Sequence, residues 1–174
     1  MIEGVKLFCF YGPESTGKST IIRHFASLYQ TIFVPEVARE IVASNDFNRE
    51  DIITIGREQT ARIFQLIKKA NRILFCDTDL ITTEIYSRHY LKVVPPILYQ
   101  LEEMVQYDHY FLFDIDVPWV PDGMRDLEDM RKEMFEVFKT ELQRRSISFT
   151  LVNGDWETRE RIIREKIDQF LTAS

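Results

Sequence analysis

Nine consecutive residues, Gly12-Pro13-Glu14-Ser15-Thr16-Gly17-Lys18-Ser19-Thr20, have the types and spacing to hold a phosphate chain. They match the pattern G-x-x-x-x-G-K-[ST] without a mismatch. Gly12 and Gly17 let the backbone curl so that successive N–H groups converge on phosphate oxygens. A helix that starts at this point turns its positive dipole end toward the anion. Lys18 has the reach for the β- and γ-phosphates, and the Ser19 hydroxyl can ligate Mg²⁺. The chemistry expected of this stretch is binding of a nucleoside triphosphate, with Glu14, Ser15, Thr16 and Thr20 completing the contact.

Acids form the second group. Asp77 and Asp79 close the apolar run Arg72-Ile73-Leu74-Phe75-Cys76. A hydrophobic strand that delivers a carboxylate to the metal beside a phosphate loop has this shape. Glu36 follows Thr31-Ile32-Phe33-Val34-Pro35. There it could take a proton from an acceptor hydroxyl, hydrogen-bond ribose hydroxyls, or simply favour a helix N-terminus.

The elements that position these groups follow from periodicity. Val5–Tyr11 reads as a buried strand, and Ile21, Ile22, Phe25, Leu28 and Tyr29 recur at helical spacing behind the loop. Further strands are expected over 31–34, 72–76, 109–113 and 149–152. Helices are expected over 37–43, 49–71 (with Asn48 as its cap), 82–91, 97–106, 127–145 and 157–171. Gly56 weakens the long helix without ending it. Strands alternating with helices predict an α/β fold, a five-stranded parallel sheet covered on both faces. Lys18, Glu36, Asp77, Asp79, Asp114 and Asn153 then collect beyond the carboxyl ends of the strands, where ligands of such sheets bind.

The 174 residues predict one domain, 1–174. A net charge of −6 disfavours a nucleic-acid-coating surface, so no nucleic-acid partner is expected. Cys9 and Cys76 fall inside predicted strands, and with three scattered histidines and no C-x-x-C a zinc site is not expected. Reduced thiols fit a cytoplasmic location. The first residues lead straight into a strand with no room for a signal peptide, and no apolar run approaches the ~20 residues of a membrane span.

A phosphate loop alone does not separate kinases from other nucleotide-binding proteins. The N-K-x-D guanine motif is absent, which counts against a GTPase, and the length counts against the helical lid domain of AAA-type machines. Arg125, Arg131 and Lys132 follow a Pro/Gly-containing loop and open a helix, where small-molecule kinases keep a lid (about 116–132). Lid arginines exclude water and stabilise charge on the transferred phosphoryl group. An exposed, salt-bridged helix face accounts for the same pattern equally well.

Four stretches occur in order: Gly12 to Ser19, Glu36-Val-Ala-Arg-Glu40, Cys76-Asp-Thr-Asp79 with Thr83 and Tyr86, and Asp116-Val-Pro-Trp-Val-Pro-Asp-Gly-Met-Arg125. Together they resemble the ribosylnicotinamide kinase domain at the C-terminal end of NadR-type proteins, over nearly the whole chain. The resemblance implies a P-loop NTPase of nucleoside/nucleotide-kinase type with ATP and Mg²⁺. It implies phosphorylation of the 5′-hydroxyl of nicotinamide riboside to nicotinamide mononucleotide in NAD salvage. Full-length members also carry an adenylyltransferase domain and some a helix-turn-helix, for which this length leaves no room.

With that family in mind, Lys18 is assigned to the β/γ-phosphates and Ser19 with Asp77 to Mg²⁺. Glu36 is general base or ribose ligand, with Asp79 second and Arg39 on the substrate. Arg125 and Arg131 are lid cations, and Gly154 and Trp156 line the adenine side. Trp119 offers an indole face to a cationic pyridinium, or packs on the sheet end. The competing expectations are the same reaction on another nucleoside or nucleotide, and an ATP-binding regulatory module. Oligomeric state is left open.

Overall fold

The computed structural model describes residues 4–42, 46–120 and 127–172. Five strands form one parallel sheet in the order β2-β3-β1-β4-β5: β1 Lys6–Tyr11, β2 Phe33–Val34, β3 Ile73–Asp77, β4 His109–Phe113 and β5 Phe149–Val152. The helices are α1 Lys18–Leu28, α2 Ala38–Ile41, α3 Arg49–Leu66, α4 Leu80–Leu91, α5 Ile97–Glu103, α6 Arg131–Arg144 and α7 Trp156–Thr172. No helix among the described residues is long and apolar enough to cross a membrane.

Alternation along β1 explains why both faces are covered. Phe8 and Phe10 point to one face and join Ile21, Ile22 and Phe25 of α1 with Ile163 and Ile167 of α7. Cys9 and Tyr11 point to the other and meet Ile81 and Ile85 of α4 with Phe138 and Leu142 of α6. Leu7, Leu74 and Cys76 continue that face under Ile63 of α3. Each fully buried Phe or Ile stabilises the fold by about 1.5–3 kcal/mol. Both cysteines are buried free thiols, as core packing predicts.

Several boundaries differ from the sequence expectation. The helix expected over 37–43 is a four-residue α2, because Val42 is already extended. The helix expected over 49–71 tightens into a 3₁₀ turn at Ile67–Lys69. Its start is as read: Asn48 accepts from Glu50 N–H and Asp51 N–H while Asp51 reciprocates to the Asn48 N–H. The helix placed at 127–145 opens only at Arg131, since the side chain of Glu14 takes the Leu127 N–H at 3.2 Å. Gly56 has a packing reason. A Cβ there would lie 2.5 Å from a methyl of Leu98, so α3 and α5 touch through it.

Candidate active site

The P-loop lies between β1 and α1, beyond the carboxyl end of the central strand. Gly12 has φ +133°, and a Cβ on it would sit 2.9 Å from the Phe113 carbonyl, so only glycine lets the loop cross β4. Gly17 takes φ +84° as the residue before α1, and Ser15 is also left-handed at +57°. These turns curl the backbone into a cradle that directs N–H groups inward.

Lys18 is buried, and its Nζ donates to the carbonyls of Gly12 (2.9 Å) and Pro13 (2.6 Å) and to Thr16 Oγ1 (3.3 Å). Burial lowers its pKa, while Asp77 and Glu36 pull the other way. An anion in the cradle would stabilise this cation further.

Ser19 Oγ donates to Asp77 Oδ2 at 2.5 Å. Burial raises the Asp77 pKa against the opposing pull of Lys18. Its second oxygen, Oδ1, is buried and lacks a hydrogen-bond partner among the described residues. A hydroxyl and an unpartnered carboxylate oxygen side by side fit Mg²⁺, which takes few protein oxygens and completes its shell with phosphates and water. No cluster of three or more metal-ligating side chains occurs among the described residues.

One cavity joins this cradle to the helices. Residues from Gly12 to Thr20 form one end, and Glu36, Val37, Ala38 and Arg39 form the middle. Val42, Phe47, Ile52, Ile55, Tyr86 and Tyr90 also line it, with Gln59, Thr78, Thr82 and Thr83, and the Tyr86 hydroxyl is hydrogen-bonded with the Glu14 backbone of the loop. Arg39 Nε donates to Glu36 Oε2 at 2.6 Å, which orients the carboxylate. The rings of Tyr86 and Tyr90 run nearly parallel, 6.3 Å apart, and Phe47 meets Tyr90 edge-on at 5.2 Å.

The structure therefore brings Lys18, Ser19, Asp77, Glu36 and Arg39 into one neighbourhood. It does not bring every expected residue to the cavity wall. Asp79 is held by protein partners. It caps α4 by accepting from Thr82 N–H and Thr82 Oγ1, both at 2.9 Å, and it also accepts from Tyr110 Oη at 3.0 Å. Burial raises its pKa to about 6. A carboxylate so engaged lies beneath the cavity rather than in it.

Trp119 also has a protein partner. The Arg131 guanidinium lies 5.5 Å from its ring centroid, and neither residue lines the cavity. Arg131 donates to the carbonyls of Val117 (3.0 Å) and Ser15 (3.4 Å), tying the start of α6 to the P-loop. Trp156 opens α7, exposed and edge-on to His24. Gly154 N–H donates to Asp116 Oδ2 at 2.5 Å, so neither of these two is on the cavity wall. Arg125 lies outside the described residues.

Sequence reasoning missed Arg159. Its guanidinium is buried and donates to the Thr16 carbonyl (2.7 Å), the Gly154 carbonyl (2.9 Å) and Asp116. One side chain from α7 thus joins the P-loop to the loops after β4 and β5. A lone arginine in an amphipathic helix gives no sign of this. The aromatic end was also missed, although Tyr86 and Tyr90 at i, i+4 and a glutamine in the apolar stripe of α3 were visible signals.

The fold and this cradle define a P-loop nucleoside-triphosphate-binding protein of nucleoside/nucleotide-kinase type. A family model described as an AAA domain matches residues 7–159, and the chain belongs to that family. The match covers the sheet and its helices; among the described residues one helix, α7, follows β5.

The Trifunctional NAD biosynthesis/regulator protein NadR of Escherichia coli K12 is 30% identical over 166 residues, covering 89% of this chain and 40% of that protein. This chain thus spans about two-fifths of the relative's length. The crystal structure of a NadR protein in complex with NR superposes with TM-score 0.76 at 22% identity, over 92% of this chain and 50% of that one. Thymidylate kinase from Ehrlichia chaffeensis gives 0.66 at 14% identity, over 96% and 99%.

Proposed function

We propose that this chain is an ATP-dependent kinase that phosphorylates the 5′-hydroxyl of nicotinamide riboside, giving nicotinamide mononucleotide for NAD synthesis. The observation that carries the reading is one cavity lined by both the phosphate cradle and three aromatic rings. An acceptor between them presents a hydroxyl to the γ-phosphate while its ring lies among Phe47, Tyr86 and Tyr90. Aromatic faces attract a cationic ring such as pyridinium. Similarity to NadR, an NAD biosynthesis protein, and to a NadR structure holding NR supports this choice of acceptor.

The transfer is an in-line displacement. The riboside 5′-oxygen bonds to the γ-phosphorus, the bond to the β,γ-bridging oxygen breaks, ADP leaves, and the hydroxyl proton passes to Glu36. Lys18 and the loop N–H groups neutralise phosphate charge. Ser19 and Asp77 would hold Mg²⁺, which adds positive charge against the β- and γ-oxygens when bound. Arg39 orients Glu36. We assign the adenine side to Gly154 and Trp156, beside the Arg159 contact with Thr16. We read 1–174 as one kinase domain with a lid over about 116–132, where Arg131 and Arg125 supply cations. A cytoplasmic location accords with the two free thiols.

The test is ADP release with Mg-ATP against a panel of nucleosides, the product identified by mass and Lys18→Ala as the blank. Selective turnover of nicotinamide riboside is expected. Turnover of another nucleoside instead would discard the salvage role and keep the kinase. ATP binding with no acceptor-dependent release would leave a regulatory module.

A further inference from the structure

We infer that Gln59, with Thr82 and Thr83, forms an acceptor-only floor that selects a riboside whose ring carries a neutral N–H donor, the carboxamide. The floor rejects the same riboside bearing a carboxylate. The inference rests on the kinase reading above and names a specificity group for it.

Gln59 follows Ile52 and Ile55 on the cavity face of α3 and is 2% exposed. Its Nε2 donates to the Thr78 carbonyl at 3.4 Å. Thr78 is itself pinned in a left-handed conformation, φ +69°, with its N–H on the Phe10 carbonyl at 3.1 Å. Non-glycine residues in this region cost free energy and collect at functional sites. Because the amide nitrogen faces a carbonyl, the amide oxygen faces elsewhere. Gln59 Oε1 has no hydrogen-bond donor among the described residues. With Gln59 on the cavity lining, this oxygen is left to accept a ligand N–H.

The two threonines give the floor its single polarity. Thr82 Oγ1 donates to Asp79 Oδ1 at 2.9 Å, and Thr83 Oγ1 donates to the Asp79 carbonyl at 3.4 Å. With their protons turned down toward Asp79, both hydroxyls offer only lone pairs upward. Three acceptors therefore share the wall, above a buried carboxyl group. A carboxamide brings two N–H donors to such a surface. A carboxylate brings none and meets lone pairs and negative charge. Sites built to hydrogen-bond one group reject its unmatched analogue far more strongly than apolar pockets discriminate size.

The experiment compares kcat/KM for nicotinamide riboside and for its carboxylate counterpart in wild type, Gln59→Met and Thr83→Val, with the KM for ATP measured in parallel. Wild type is expected to prefer the carboxamide by roughly 100-fold or more. Gln59→Met should raise the KM for nicotinamide riboside roughly 10- to 100-fold and shrink the preference by about tenfold, with the ATP KM unchanged. Thr83→Val should shift the preference the same way by less, which keeps the test open if the methionine variant does not fold.

Equal wild-type turnover of both ribosides would overturn the inference and leave the kinase standing. So would an equal rise in both KM values, which assigns Gln59 to the ribose, or an unchanged preference in both variants. Wild type that turns over neither riboside removes the nicotinamide riboside reading itself, and the floor's role falls with it.

Discussion

At the phosphate end of the cavity, nine consecutive residues supply backbone, cation and hydroxyl. At the acceptor end, the wall is assembled from α2, the loop before α3, α3, the turn after β3 and α4. The phosphate end binds through groups every peptide has, N–H dipoles curled by Gly12 and Gly17. The acceptor end binds through side chains whose neighbours are set by helix packing. A contiguous site carries its chemistry in spacing; an assembled one carries it in register and orientation.

The contrast can be tested from both sides, and the largest effect belongs to the phosphate end. Lys18→Ala should lower kcat/KM by roughly 10³-fold, since a buried cation aimed at developing charge is lost. Steady-state kinetics check it, and near wild-type transfer would end the cradle argument.

Asp77 and Asp79 stand two residues apart, yet Asp79 is held by Thr82 and Tyr110 beneath the cavity, so Asp79→Asn should act on stability rather than on phosphate binding. Burial raises the folded pKa of Asp79 from 3.8 to about 6. Its contribution is therefore full below the unfolded value and lost as pH rises through about 6. Relative to Asp79→Asn, wild type should lose roughly 2 kcal/mol between about pH 4.5 and pH 7. Urea unfolding of both proteins at the two pH values measures this. A difference independent of pH would contradict the buried, proton-retaining environment.

A smaller effect is expected at the aromatic wall. Tyr86→Leu should raise the acceptor KM about tenfold and the ATP KM by less, because the ring face that attracts a cation is removed along with one hydrogen bond to the Glu14 backbone. Equal rises in both constants would mean the two ends are not separable. Gly56→Ala should be mildest. The added methyl meets Leu98 at 2.5 Å, and overpacking offset by better helix propensity leaves about 1 kcal/mol of destabilisation. A thermal melt reads this, and any kinetic change should fall on the acceptor, since the same helix carries Ile55 and Gln59.

Much of this molecule was legible in one dimension. The P-loop, its flanking strand and helix, the parallel sheet and the Asn48 cap are local: each depends on residues within a turn or two, or on a period of 2 or 3.6. Asp77 beside Ser19 follows from the rule that strand ends meet the switch point. Two further candidates have protein partners that their residue types did not announce. Asp79 and Trp119 have the right types for substrate contact, yet Thr82 with Tyr110 and Arg131, respectively, already occupy them. A side chain's type states what it can bind, and only its neighbours decide whether it is free to do so.

By itself, then, the amino-acid order determined the layered sheet and the phosphate cradle, because hydrophobic alternation and glycine torsions act over a few bonds. Tertiary structure alone decided which polar groups were left for a ligand. It joined Tyr110 to Asp79, aimed Gln59 from α3 across to Thr78, and carried Arg159 from the last helix to Thr16. Hydrogen bonds between segments tens of residues apart form only once the apolar faces have packed, and their partners are chosen by that packing.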